Sequence, residues 1–228
     1  MADEYNYLKN FVLFSEMSPD HLQQIHEIVT EKHFTKNQTI FFEEETGDSV
    51  FFLEKGRVKV FKISASGSQQ ILDIFNPGEV FGEVVLFGIN SYPATAVALE
   101  PVKVTVLNRD KFRDFFNQNP KIGWGMLKVM AAKLYNLQRR IKDLGLRDSR
   151  GRLAALLLEM SNNIGITGKN KEKEWFDLKI NQQEMADIIG VSRETVSRTL
   201  GFFRDEGLIK LKDKQLLITD VEGLKDLL

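Results

Sequence analysis

The chain has 228 residues, 43% of them hydrophobic, with 31 Lys/Arg against 32 Asp/Glu and no cysteine. The missing thiol excludes disulfides, thiolate zinc sites, cysteine-ligated iron–sulfur clusters and thiol redox switches. The charge is unevenly spread: residues 1–118 carry a net −6 and residues 119–228 a net +5, which points the C-terminal part at a polyanion. The length suits two modest domains, each with its own core. The acidic, polar start MADEYNYLKN does not read as a signal peptide. The longest uncharged run, Val84 to Leu99, spans sixteen residues broken by Asn90, Ser91 and Pro93. A membrane-spanning helix needs about 20 apolar residues. The expectation is a cytoplasmic protein with no membrane segment.

Short helices are predicted from Leu8 to Val29. Ser18 is a cap there, and Pro19 takes the first helical position. From about His33 to Asn108 the texture is Phe, Val and Ile punctuated by Gly, Asn and Pro. SVFFLEKGRVKVFKI places strand-like runs around a tight turn at Glu54-Lys55-Gly56. ASGSQQILDIF follows a Ser-Gly turn, NPGEVFGE supplies a Pro-Gly turn, and VKVTVLN alternates from Val102 to Leu107. Short strands with turns every eight to twelve residues predict an antiparallel sandwich or barrel. The period becomes helical after Asp110. Leu127, Met130, Leu134, Leu137, Ile141 and Leu144 follow one another by three and four residues, and Gly123 continues the series upstream. This is a heptad seam, narrower than the stripe of a helix packed on its own domain, and it predicts a parallel homodimer. Asp148-Ser149-Arg150-Gly151 ends this helix, and Leu153 to Met160 belongs to the next. NNIGITGKNKEKEW reads as a polar loop whose Lys169–Lys173 stretch is either solvated or a partner contact.

INQQEMADIIGVSRETVSRTLGFFRDEGLI then reads as a helix-turn-helix. Asn181 and Glu184 form a capping-box pattern. Met185, Ile188 and Ile189 make one apolar face, Gly190 permits the turn, and Val191 plugs it. Ser192 caps a second helix that buries Val196, Leu200 and Phe203. Its other side carries Arg193, Glu194, Ser197 and Arg198, polar groups at the N-terminal end as a recognition helix needs. Arg can donate twice to guanine and Glu can accept from cytosine. The candidate DNA contacts are Ser192, Arg193, Glu194, Thr195, Ser197 and Arg198. LIKLKDKQLLI adds two strands around Lys212-Asp213-Lys214, a wing.

GVSRETVSR, together with GDSVFFLEKGRVKVF, NPGEVFGE and LRDSRGRLA, resembles the cyclic AMP receptor protein/FNR (CRP/FNR) family of bacterial transcription regulators over nearly the whole chain. The resemblance implies an α+β protein. Residues 1–118 are a cyclic-nucleotide-binding-like β-barrel (a double-stranded β-helix or jelly roll), 119–147 a long dimerisation helix, and 148–228 a winged helix-turn-helix. It implies double-stranded DNA, a second copy of the chain, RNA polymerase and a small-molecule effector as partners. Arg193, Glu194 and Arg198 match the base-reading Arg, Glu and Arg of the cyclic AMP receptor protein, and Glu194, Ser197 and Arg198 match the Glu, Ser and Arg of FNR. The expected operator is a palindrome whose half-site contains TGA preceded by G or T.

In this family a Gly-Glu pair precedes a short segment and then an Arg that neutralises the cyclic phosphate. Gly82-Glu83 matches the pair, but Pro93 stands at the Arg position, beside Ala94 and Thr95. Proline has neither charge nor N–H, and burying an unpaired phosphate is costly. Cyclic AMP in the usual mode is therefore not expected, unless Lys128 or Lys133 of the paired helices substitutes. An iron–sulfur cluster is excluded. Haem would need an axial donor from His21, His26 or His33. A small organic effector between barrel and dimer helix is the expectation, with Phe81, Phe87, Tyr92, Leu127 and Tyr135 as candidate walls, although Phe81 and Phe87 read better as core. A ligand-free regulator also remains open. A cupin-like enzyme would need strand histidines, and none lies beyond His33, so no catalytic or metal-binding set is expected. A nucleotide-binding module of a channel or kinase would leave GVSRETVSR without a role.

Overall fold

The strand Ser49–Lys55 has four consecutive buried residues, Val50 to Leu53. Successive side chains leave a strand on opposite faces, so both faces must be covered. Val50 and Phe52 enter one core, and Phe51 and Leu53 enter another. This strand therefore lies between two layers of packing. The computed structural model describes residues 5–15, 17–65, 67–120, 122–163, 175–213 and 215–228, without the side chains of 136, 139–146, 162 and 163.

Eight strands run β1 (Val29–Phe34), β2 (Thr39–Phe41), β3 (Ser49–Lys55), β4 (Val58–Ile63), β5 (Gln69–Phe75), β6 (Val80–Phe81), β7 (Thr95–Ala98) and β8 (Val102–Asn108). They form two antiparallel four-stranded sheets, ordered β1-β8-β3-β6 and β2-β7-β4-β5. Phe41, Phe51, Phe75, Phe81 and Val104 fill the space between them. This is the expected jelly-roll barrel. The turn at Lys55–Gly56 hands the chain from one sheet to the other, because β3 pairs with β8 and β6 while β4 pairs with β5 and β7. The outer face of the β3 sheet is covered by Leu8, Phe11 and Phe14 of the N-terminal segment, Leu22 and Ile25 of α1 (Pro19–Ile28), and Phe112 and Phe115 of α2 (Arg109–Gln118). Ser18 caps α1, accepting from the His21 amide. The first strand begins at Val29, ahead of the predicted His33, because Val29–Phe34 pairs along β8.

Helix α3 (Ile122–Leu146) starts on this core through Ile122 and Met126. The chain divides into two compact units, Met1–Leu134 and Tyr135–Leu228. In the second, α4 (Ser149–Asn163) precedes β9 (Phe176–Asp177), α5 (Gln182–Ile189), α6 (Arg193–Asp205), β10 (Ile209–Lys212), β11 (Gln215–Ile218) and α7 (Val221–Lys225). α4 begins at Ser149, earlier than the predicted Leu153, because the Asp148 carboxylate accepts from the Gly151 amide at 2.8 Å and caps it. Leu153, Leu157, Val196, Phe203, Leu216 and Leu224 make the core of this unit. The polar loop with Lys169–Lys173 lies outside the described residues. Among the described residues, no helix is long and apolar enough to cross a membrane.

Candidate nucleic-acid interface and sensory pocket

Local chemistry fixes the helix-turn-helix. Asn181 Oδ1 accepts from the Glu184 amide at 3.0 Å and Glu184 Oε2 accepts from the Asn181 amide at 2.8 Å, closing the capping box of α5. Gly190 ends α5 at φ 68°, ψ 45°, a left-handed conformation that glycine adopts without a Cβ penalty. Ser192 Oγ accepts from the Thr195 amide at 3.2 Å and starts α6. Val196, Thr199, Leu200 and Phe203 then turn inward, so Arg193, Glu194, Ser197 and Arg198 are left facing water.

Within this exposed row, Thr195 is half-buried. Its hydroxyl sits 3.1 Å from Ser192 Oγ and accepts a long bond, 3.4 Å, from Arg198 Nη2. Thr195 therefore joins the cap to Arg198, a link that the i, i+3 spacing allows. The backbone N–H of Glu194, followed by the Ser192 hydroxyl, holds the Glu194 carboxyl below the usual carboxylate range. It is an ionised acceptor at neutral pH and stays so as the pH falls towards the ordinary carboxylate range. β10, β11 and β9 form the three-stranded wing sheet, with Lys210 and Lys212 exposed along β10. Lys214 lies outside the described residues.

In the barrel, Gly82 adopts φ 73°, and an added Cβ would lie 3.1 Å from the Phe51 ring and 3.3 Å from the Tyr92 ring. Glu83 follows in a short 3₁₀ turn, Glu83–Phe87, with its side chain 12% exposed. Its partner comes from α3: Lys133 Nζ stands 2.8 Å from Glu83 Oε1, donates to the Val80 carbonyl at 2.9 Å, and lies 5.1 Å from the Phe75 ring centroid. The 50-residue separation hid this pair, although the Gly-Glu motif and the helix lysines were each visible. Tyr92 is buried, stacked on Phe41 at 3.8 Å between centroids, and its hydroxyl donates to the Ser49 carbonyl at 2.8 Å. Ala94 is buried, and Thr95 Oγ1 accepts from the Glu43 amide at 3.0 Å. Phe81 is core as predicted. Phe87 is not: it is 58% exposed, because the five-residue turn directs it outward before Gly88. A cavity of about 10 Å³ bordered by Leu13, Val80, Glu83, Met126 and Met130 is at the threshold for one water.

Burial pushes the Tyr92 phenol up to about 12. The neutral phenol is therefore favoured by folding. Stability from this seat is present below the ordinary tyrosine value near 10 and is lost as pH rises from there towards 12. Tyr92→Phe should cost about 0.5–1.5 kcal/mol at neutral pH, the worth of one hydrogen bond. Thermal melts across pH 10 to 12 should fall less steeply for Y92F than for the unsubstituted protein. Parallel slopes would show that Tyr92 is not the group responsible.

Along α3, Leu127, Leu134 and Leu137 are 58%, 57% and 55% exposed, and Tyr135 is 67% exposed. Gly123 and Met130 are half-buried and Lys128 is exposed. The side chains of Ile141 and Leu144 lie outside the described residues. His33 pairs with Glu31 at 2.7 Å and His26 packs edge-on to Tyr7 at 6.1 Å between centroids. Among the described residues, no group of three or more His, Asp and Glu side chains could hold a metal ion.

Residues 31–119 match the cyclic nucleotide-binding domain model and residues 151–227 the Crp-like helix-turn-helix domain model. The chain is 29% identical over 212 residues to the CRP-like cAMP-activated global transcriptional regulator of Mycobacterium tuberculosis, covering 93% of this chain and 94% of that one. It is 28% identical over 213 residues to the anaerobic regulatory protein of Haemophilus influenzae, covering 93% and 81%. A CooA variant from Carboxydothermus hydrogenoformans shares the fold at TM-score 0.77 and 24% identity, covering 98% of this chain and 95% of that one.

Proposed function

We infer how this protein works from the family to which it belongs, the CRP/FNR DNA-binding transcription regulators, whose two domain types it carries in order. The observation that carries the reading is the exposed polar row of α6, held by capped ends over a buried apolar face. Arg193, Glu194, Ser197 and Arg198 read base edges in the major groove. Ser192 and Thr195 hold that row, and their hydroxyls suit contacts to phosphate. Lys210 and Lys212 of the wing suit the DNA backbone.

The protein works as a homodimer. Leu127, Leu134 and Leu137 are each exposed apolar side chains of the kind that interfaces cover, and the heptad spacing in the sequence assigns them to one seam with Gly123, Met130, Ile141 and Leu144. Residues 1–118 sense, 119–147 pair, and 148–228 bind DNA. Two-fold pairing demands a palindromic operator, here with TGA-containing half-sites. At fixed salt, a duplex with two inverted half-sites should bind about a thousandfold or more tighter than a scrambled duplex. Equal affinities would overturn the reading. RNA polymerase is the expected partner of the DNA-bound dimer.

An effector shifts the population between packings of barrel and long helix. The cyclic AMP that activates the mycobacterial relative suits this pocket poorly. Pro93 replaces the phosphate-binding Arg, and Lys133 is already engaged by Glu83. A small organic effector of low negative charge fits better, near Gly82, Glu83, Tyr92, Ala94 and Thr95 and the α3 residues Leu127 and Lys128. As it stands, the cavity beside Glu83 cannot take such a molecule, so binding would have to part Lys133 from Glu83.

Lys133→Met leaves the Glu83 carboxylate buried without its ion partner and should destabilise the barrel by about 1–3 kcal/mol. Adding Glu83→Gln to that variant should recover most of the loss, a coupling that urea melts of the four proteins would measure. Strictly additive costs would contradict the coupling of Lys133 to Glu83. Millimolar cyclic AMP should leave the melting temperature of the unsubstituted protein unchanged, and a saturating rise of several degrees would reject the exclusion of that ligand.

A further inference from the structure

The first turn of α4 carries an arginine whose contacts reach in two directions. Arg152 Nε donates to the Arg147 carbonyl at 3.2 Å, and Arg152 Nη1 donates to the Ile189 carbonyl at 2.9 Å. Arg147 lies in the connector that follows the last turn of α3. Ile189 is the last residue of α5, immediately before the glycine that sets the helix-turn-helix angle. Carbonyls at helix C-termini lack intrahelical partners and carry the negative end of the helix dipole, so a guanidinium is the group suited to satisfy both. The same turn of α4 is itself pinned. The Asp148 carbonyl accepts from the Arg152 amide at 3.0 Å, and the Asp148 side chain accepts from the Gly151 amide at 2.8 Å. Two residues before Arg152, the Arg150 guanidinium lies 4.1 Å from the centroid of the Phe202 ring on α6. One helical turn therefore grips the connector, the end of α5 and the recognition helix.

We propose that Arg152 is a positioning residue that sets the direction in which the helix-turn-helix leaves the connector, and thereby the operator spacing that the dimer accepts. It touches no base. Its rigid planar fork fixes two carbonyls relative to each other, which a lysine ammonium on a flexible stem cannot do. Without the fork, α5 and α6 keep their own caps and core but lose their fixed bearing on the connector. The proposal rests on the dimeric, palindrome-reading function given above.

The test uses the full-length chain and three duplexes with identical half-sites, at the preferred spacing and with one base pair added or removed. The unsubstituted protein should favour the preferred spacing by about tenfold or more, since a one-base-pair change rotates and displaces one half-site against a fixed helix pair. Arg152→Gln should bind the preferred site about ten- to a hundredfold more weakly, as expected for lost charge-assisted hydrogen bonds, and its spacing preference should fall to about threefold or less. Arg152→Lys keeps the charge and serves as the second variant if R152Q fails to fold, and it should restore affinity more than spacing preference. If both variants weaken all three duplexes by the same factor, Arg152 is merely structural and the proposal is overturned. If the unsubstituted protein ignores spacing, the dimeric reading fails first and takes the proposal with it.

Discussion

Replacing Arg198 with alanine should abolish sequence preference while leaving the fold and the proposed dimer intact. The side chain is exposed, and its one hydrogen bond of note is the long contact to Thr195. Its removal opens no cavity, because Val196, Leu200 and Phe203 hold α6 to its unit. What is lost lies on the DNA. A bidentate arginine–guanine contact is worth about 1–3 kcal/mol, and two half-sites double it to about 2–6 kcal/mol. Affinity for the specific duplex should fall from about thirtyfold to more than ten-thousandfold, while weak, salt-dependent binding to any sequence persists. Fluorescence anisotropy against specific and scrambled duplexes at one salt concentration measures this, with a thermal melt as the folding control. Retained preference for the specific duplex would remove Arg198 from base reading. Arg198→Lys should rescue general affinity but little of the preference, since lysine keeps the charge without the fork.

Leu134→Lys should break the dimer and specific DNA binding together. Leu134 is 57% exposed in the single chain and belongs to neither core of its unit, so the monomer loses little. Across a two-fold seam each substitution occurs twice. Two leucines, worth about 1.5–3 kcal/mol each when buried, are exchanged for two ammonium groups brought close together, with desolvation and like-charge repulsion both opposing pairing. Sedimentation equilibrium should report the monomer mass, 26.1 kDa, at concentrations where the unsubstituted protein is a dimer. Binding to a palindrome should collapse towards single-half-site affinity. An unaffected mass would show that the seam on α3 is not the dimer interface.

The parts legible in the sequence are those whose physics is local. Asn181 with Glu184, Gly190 and Ser192 lie within a dozen residues, and each constrains only its own turn, so the helix-turn-helix could be drawn before any coordinates. The three-and-four spacing on α3 is equally local. The barrel was half legible. Alternation in VKVTVLN announced a strand, but nothing in SVFFLEKGRVKVF says that β3 and β4 join different sheets, because partners are chosen by contacts far along the chain. Phe87 shows how hydrophobicity misleads in a short turn, where composition does not choose the face. The long-range polar contacts were the least visible. Lys133 with Glu83, and Arg152 with the Ile189 carbonyl, bridge 50 and 37 residues, and no spacing rule links them. Thr195 was legible as a candidate DNA contact, and its link to Ser192 and Arg198 follows the same spacing rule, since it stands three residues from each.

The proposed function requires two copies of α6 to read one symmetric site. It is tested most directly by selecting tight binders from a random double-stranded DNA library with the purified full-length protein and sequencing them. The predicted result is an inverted repeat of TGA-containing half-sites, each preceded by G or T, with centres about one helical turn, roughly 34 Å, apart. A lone half-site without its inverted partner, or a pool with no shared motif, would contradict it.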